Sequence, residues 1–329
     1  MMSRMFRFGR RVVGLLAVGA AAVSAPAMAQ TWPAKPVSFI VPFAAGGSAD
    51  ATTRALGQKL SELWGQPVII DNKPGGGTNI GTTFVAKSPA DGYTVLFATD
   101  AVVVNTMLYR SLAFDPYRDF SPVTVICHLD QVMLIPPTVP ANTMREFVAY
   151  LKANPGKLNY GSYGAGSPPH LAYELFKHVT GTSIVHVPYK GVAPMVTDFM
   201  AGNLQTIITG VYSALPLAKS GKAKVIGIEG RRSPLLPETP TFAEAGYPEM
   251  RAPSWWGYMV PTGTPQAVVS KLHRDIVSVV KDPEFRQKRL VAFGLEPVGN
   301  TPEEFTQLLK EAATLWGPII KSAGIRSDQ

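Results

Sequence analysis

The sequence predicts an α/β protein of two doubly wound lobes joined by crossing strands, with a ligand cleft between them. Three observations carry that expectation. Short β-branched and aromatic runs alternate with helix-forming segments, the pattern of βαβ units. Two extended stretches, 121–136 and 254–260, are placed to take the chain from one lobe to the other and back. The 329 residues, 46% hydrophobic and 16% charged, suffice for two ordinary domains with buried cores.

The first 29 residues stand apart. Arg4, Arg7, Arg10 and Arg11 precede an uncharged apolar stretch, and Ala27-Met28-Ala29 supplies a small-x-small cleavage pattern. That is a secretory signal cleaved after Ala29, its apolar stretch shorter than the roughly 20 residues of a membrane span. Arg10-Arg11 leaves both general and twin-arginine export open. Without this segment the formal charge of +8 falls to +4, and no basic run remains to suggest a nucleic-acid interface. A soluble exported protein is expected, with no stable membrane insertion. The single cysteine, Cys127, excludes an internal disulfide and a Cys-based metal site, and reads as a small core residue.

The mature chain opens with a buried strand at 37–41. Pro42-Phe43-Ala44-Ala45-Gly46-Gly47 breaks it, and Ser48 is placed to cap a helix through 64 with Ala51, Ala55, Leu56, Leu60 and Leu63 inward. A strand at 67–71, a glycine-rich turn, a helix near 78–87 and a strand at 94–98 complete the first half. Helices at 143–153, 170–179 and 193–201 alternate with strands at 158–162, 183–187, 205–209 and 224–228. The segment 253–329 then returns, with helices at 266–281 and 302–323. The lobes expected are 30–125 plus 253–329, and 126–252.

Enzyme signatures are mostly missing. Neither glycine cluster completes a nucleotide-binding motif, and Tyr160-Gly161-Ser162-Tyr163-Gly164 lacks the first glycine of a nucleophile elbow. The five histidines have no metal-ligand spacing and read as surface or packing residues, so no metal or cofactor is expected. What remains is a pair of strand-to-helix turns rich in small residues, 43–50 and 162–170. Helix N-termini present free N–H groups and partial positive charge, which suits an anion. Small residues let a carboxylate approach that backbone closely. In open α/β sheets, ligands sit beyond the carboxyl ends of the strands, where these turns lie.

Eight stretches carry a family resemblance: Trp32-Pro33-Ala34-Lys35-Pro36-Val37, residues 41–50, Asp71-Asn72-Lys73-Pro74-Gly75, Asp91-Gly92-Tyr93-Thr94, residues 158–162, His186-Val187-Pro188-Tyr189-Lys190-Gly191, Ser213-Ala214-Leu215-Pro216 and Pro237-Glu238-Thr239-Pro240-Thr241. Over essentially the whole mature chain, the sequence resembles the Bug or TctC-type extracytoplasmic solute-binding proteins of tripartite tricarboxylate transporters. The resemblance implies a type II periplasmic binding fold. It further implies a non-enzymatic periplasmic protein that closes on a small organic carboxylate and passes it to membrane transporter subunits; some relatives serve signalling instead. An exported hydrolase using Ser162 or Ser167 remains the alternative, and a monomer is expected.

The ligand-binding residues so implied are Phe43, Ala44, Ala45, Gly46, Gly47 and Asp50 in the first turn, and Ser162, Gly166, Ser167 and His170 in the second. Thr99, Asp100, Tyr189, Gly210 and Tyr212 complete the set. Three departures from the family pattern bear on the ligand. Ala44-Ala45 replaces Pro-Pro, Ala165 replaces a polar residue, and Thr209-Gly210-Val211-Tyr212 replaces an Asp-Asn-containing segment. The last two remove polar contacts and add a ring, so the ligand expected has an apolar or aromatic body and at least one carboxylate.

Overall fold

β1 (Val37–Val41) is wholly or largely buried along its length and pairs in parallel with β2 (Val68–Asn72) on one side and β3 (Thr94–Thr99) on the other. A computed structural model describes these and the other elements over residues 32–164, 166–189, 191–250 and 254–326. The signal segment with its cleavage site, Ala165 and Lys190 lie outside the described residues.

α1 (Ser48–Trp64) connects β1 to β2, and α2 (Asn79–Ala86) connects β2 to β3. The sequence placed α1 correctly but misread its buried face. Ala51 and Leu63 are exposed, and the inward face runs through Ala49, Thr53, Leu56, Gly57 and Leu60. Its small residues are the reason. A Cβ on Gly57 would stand 3.0 Å from Val68 Cγ1 and 3.1 Å from Ile70 Cδ1, so the helix lies hard against β2. Thr53 satisfies its hydroxyl internally by donating to the Ala49 carbonyl at 2.7 Å. The N-cap is Gly47, and Ser48 is already helical.

After β3 comes α3 (Ala101–Leu108), which the sequence did not announce. β4 (Phe120–Leu129) and β5 (Gln131–Ile135) follow, so the long extended stretch is two strands broken at Asp130. The break moves the chain between sheets. Next come α4 (Met144–Ala153), β6 (Asn159–Ser162), α5 (Pro168–Thr180), β7 (Val185–Pro188), α6 (Val192–Met200), β8 (Thr206–Gly210), α7 (Val211–Lys219) and β9 (Lys224–Ile228). β10 (Ser254–Pro261), α8 (Gln266–Lys281), the single-turn α9 (Pro283–Phe285), β11 (Leu295–Pro297) and α10 (Pro302–Ala323) complete the order.

Two sheets result, β11-β4-β10-β3-β1-β2 and β7-β6-β8-β5-β9. Neither is all-parallel. β10 runs antiparallel between β3 and β4, and β5 runs antiparallel between β8 and β9. These are the strands by which the chain enters each sheet from the other. Each sheet therefore shows one order: second, first, third, crossing strand, fourth. In both, the sequence of connections reverses beside the first strand, which places a switch point between β1 and β3 and another between β6 and β8.

α10 ties the two halves together. Thr301 and Glu304 form a reciprocal capping box, with Thr301 N–H to Glu304 Oε2 at 2.9 Å and Glu304 N–H to Thr301 Oγ1 at 3.2 Å. Gly324 ends the helix in the left-handed region. Its Phe305, Leu309, Trp316 and Ile320 share one core with Val104 and Leu108 of α3 and with Leu171 and Leu175 of α5. Cys127 is fully buried, and burial pushes its thiol well above the usual range. No helix among the described residues is long and apolar enough to cross a membrane.

Candidate functional site

Four helices begin where the strands flanking the two switch points end: α1 after β1, α3 after β3, α5 after β6 and α7 after β8. Each N-terminus carries partial positive charge, although α5 opens on Pro168-Pro169, which have no N–H, and the Ala101 and Val211 N–H groups are taken by Asp100 Oδ1 and the Asp130 carbonyl. Two contacts show that the sets face one another. A Cβ on Gly166, in the turn before α5, would lie 2.2 Å from Leu108 Cδ1 and 3.6 Å from Asn105 Oδ1 on α3. Asp100, at the start of α3, acts on the hydroxyl of Tyr163, the residue after β6, helping burial to raise it.

The first turn is braced from beneath. Residues 44–48 are exposed and Phe43 is half-buried. Asp50, 4% exposed, accepts from the Gly46 N–H at 2.9 Å and from Arg54 Nε at 3.0 Å. Burial works against its charge, but Arg54, the Gly46 N–H and Asn72 outweigh it and hold the carboxyl below its ordinary value. Arg54 also donates to Asn72 Oδ1 at 2.9 Å, and Asn72 Nδ2 donates to the Phe43 carbonyl at 3.1 Å. Asp50 is thus committed to the turn, along with Arg54 and Asn72. Gly46, at φ +85°, supplies the backbone conformation this loop requires.

Thr99 and Asp100 are buried at the end of β3, and Asp100 Oδ1 accepts from the Ala101 N–H at 3.1 Å. Burial raises the Asp100 carboxyl to about 7, opposed only by backbone N–H groups of Ala101 and of Asp100 itself. Its Oδ2 has no hydrogen-bond partner.

In the second turn, Ser167 Oγ donates to the Gly164 carbonyl at 2.6 Å, and Gly166 N–H donates to His170 Nδ1 at 2.9 Å. His170 therefore has its accepting nitrogen on the turn, and its proton sits on Nε2, 3.9 Å from Glu174 Oε1. Ser162, fully buried, holds its Oγ 2.6 Å from His186 Nε2. His186 stacks on His170 with ring centroids 4.1 Å apart. The sequence named His186 only as a packing residue. Its partnership with Ser162 arises because β6 and β7 pair in parallel, with Tyr160 opposite His186.

Other expected wall residues are turned elsewhere. The Tyr189 hydroxyl donates to Asp198 on α6, although the Tyr189 N–H stays on the Ser162 carbonyl at 2.8 Å. Tyr212, half exposed beyond Gly210, stacks on Phe293 at 4.4 Å. Asn105 was missed: its Nδ2 donates to the Gly77 carbonyl and to Asn79 Oδ1, both at 2.7 Å. A lone amide after three valines was the available signal. Among the described residues no cluster of three or more His, Cys, Asp or Glu has the arrangement of a metal site.

The histidine pair gives a pH dependence of definite sign. Burial, then His170 and Lys177, lower His186 from 6.5 to about 3, and burial lowers His170 despite Glu174. The unfolded chain takes these protons below about pH 6.5 and the folded chain resists them, so their stabilising contribution is lost as pH falls through that window. Relative to His186→Gln, the wild-type chain is expected to lose on the order of 2 kcal/mol between pH 6.5 and 4, allowing for partial exposure. Urea midpoints of both proteins across that range measure it; parallel pH profiles would contradict it.

With this geometry in view, comparison with known proteins is decisive. The sequence model of the tripartite tricarboxylate transporter family receptor matches residues 52–325. The chain belongs to that family. The Bug protein BugT of Bordetella pertussis is 33% identical over 96% of this chain and 97% of its own. An R. palustris protein solved with adipate is 35% identical with a TM-score of 0.84, covering 90% of this chain and 99% of that one. The protein MatC of Rhodopseudomonas palustris, solved with malate, is 28% identical with a TM-score of 0.80, covering 88% and 100%. The chain is thus a solute-binding protein of the TctC or Bug type, with the two-lobed periplasmic-binding fold of its neighbours.

Proposed function

We propose that this TctC-type protein is exported, loses residues 1–29, and captures a small organic carboxylate in the periplasm by closing its two lobes. It then delivers that ligand to membrane transporter subunits. The lobes correspond to 30–125 with 253–329, and to 126–252, and they hinge about the crossings near Asp130 and before β10. The ligand carboxylate sits between the 43–47 turn and the 162–167 turn, with Gly210 and the start of α7 beside it. One observation carries this reading: four helix N-termini begin at two facing switch points, a concentration of positive dipole ends suited to an anion. The adipate- and malate-bound relatives agree with it in ligand class.

The hydrolase alternative has one observation in its favour, the 2.6 Å Ser162–His186 contact. Against it, Ser162 is fully buried, His186 resists protonation, and Glu174 lies by His170 instead. A base held near 3 is a weak acceptor for a serine proton at neutral pH. Binding without turnover is the better account.

A thermal-shift panel of mono-, di- and tricarboxylates and aromatic acids on residues 30–329 tests the proposal. At least one acid is expected to raise the melting temperature by several degrees at saturation, since a ligand at about 100 times its Kd adds about 2.7 kcal/mol. It should be recovered unchanged. Consumption of that acid would favour the enzyme, and no shift with any acid would overturn the carboxylate reading.

A further inference from the structure

The floor of the cleft differs in chemistry from its rim. Asp100 is 2% exposed, with Oδ1 on the Ala101 N–H and Oδ2 without a partner. Gln131, also 2% exposed, opens β5; its Nε2 donates to Ser254 Oγ at 3.0 Å, and its Oε1 has no partner. Glu229, 4% exposed at the end of β9, is tied to the same place by its N–H to the Gln131 carbonyl at 2.7 Å. β10 closes the circuit. Its Trp256 pairs with Thr99, the residue before Asp100, and its Ser254 pairs with Leu129, two residues before Gln131. From the opposing turn, Tyr163 feels both Asp100 and Glu229.

Two buried oxygen acceptors, Asp100 Oδ2 where β3 ends and Gln131 Oε1 where β5 begins, therefore lack donors. Each such acceptor is costly to bury until a donor reaches it. No Lys or Arg among the described residues acts on Asp100.

We infer that the cleft floor of Asp100 and Gln131 receives a hydrogen-bond-donating group of the ligand, an amine or a hydroxyl, so that the captured molecule is an amino or hydroxy acid. This rests on the carboxylate reading above and adds to it. The turns hold the carboxylate, and the floor holds the donor. Polar contacts that the sequence removes from the second lobe, at Ala165 and at 209–212, are thus replaced by acceptors around the crossing strands. A plain acid would leave Asp100 Oδ2 and Gln131 Oε1 unsatisfied.

The experiment titrates residues 30–329 by calorimetry with two matched series: succinate, malate and aspartate; and 3-phenylpropionate, 3-phenyllactate and phenylalanine. In at least one series the amine or hydroxyl member should bind ten-fold or more tightly than its parent, and which of the two wins identifies the donor. In Asp100→Asn, which retains an N-cap side chain, that ratio should fall to within three-fold of one. Gln131→Met, close to isosteric and without the free oxygen, should reduce it independently. Parents binding as tightly as substituted members, or a ratio that survives both variants, would overturn the inference and leave the carboxylate reading standing. Absence of binding by all six acids would count against both.

Discussion

Gly166→Ala should weaken carboxylate binding by about thirty-fold, on the order of 2 kcal/mol, in calorimetric titrations against whichever acid the panel selects. Two effects add. Gly166 sits at φ +75°, where an L side chain costs roughly 1–2 kcal/mol. Its new Cβ would also stand 2.2 Å from Leu108 Cδ1, well inside contact distance, and Leu108 is 3% exposed within the shared core. The turn must therefore lift away from α3, separating the two sets of donors that the ligand needs together. Adding Leu108→Ala removes the obstructing methyl, and the double variant should regain part of the affinity. Gly166→Ala binding within three-fold of wild type would show that close approach of these turns is not required.

Trp316→Ala should cost about 3–5 kcal/mol of unfolding free energy, the usual range for emptying a large buried site. Trp316 is 1% exposed on α10 and belongs to the core shared with α3 and α5. The loss is felt on both sides of the cleft at once, because α10 packs under helices that follow strands of different sheets. A drop of roughly 6–10 °C in melting temperature corresponds to it for a chain of this size. Leu63→Ala, on the exposed side of α1 at 55% exposure, should stay within about 0.5 kcal/mol. A Trp316→Ala cost near that of Leu63→Ala would remove α10 from its bridging role.

The elements that the sequence announced are those whose local signals agree with their surroundings. Residues 302–323 carry a Thr-Pro-x-Glu start, an apolar stripe and a closing glycine, and α10 spans those residues. α3 was hidden because Val102-Val103-Val104 continues the β-branched run of β3. Burial of that face against α10 overrides the strand preference. α7 was hidden for a similar reason: Val211-Tyr212 reads as strand and Pro216 as a breaker, yet the helix contains both. The sheets' mixed direction could not be read locally, since it depends on where the crossing strands insert.

The site divides along the same line. Glycine and serine turns are legible because only particular residues tolerate that backbone, so the segments leading into α1 and α5 were read as turns. The bracing of the turn by Asp50 was not legible, because an acid in a first helical turn looks the same whether it meets a ligand or its own Arg54. The Ser162–His186 contact and the unpartnered acceptors of Asp100 and Gln131 depend on strand register and on crossings between sheets. Neither has a signature within any short window of sequence.

The most direct test of the central claim is a crystal structure of residues 30–329 with the tightest-binding acid. A carboxylate is expected between the two switch points, in contact with both the 44–47 turn and the 163–167 turn. A ligand bound to one sheet alone, or outside the cleft, would contradict it.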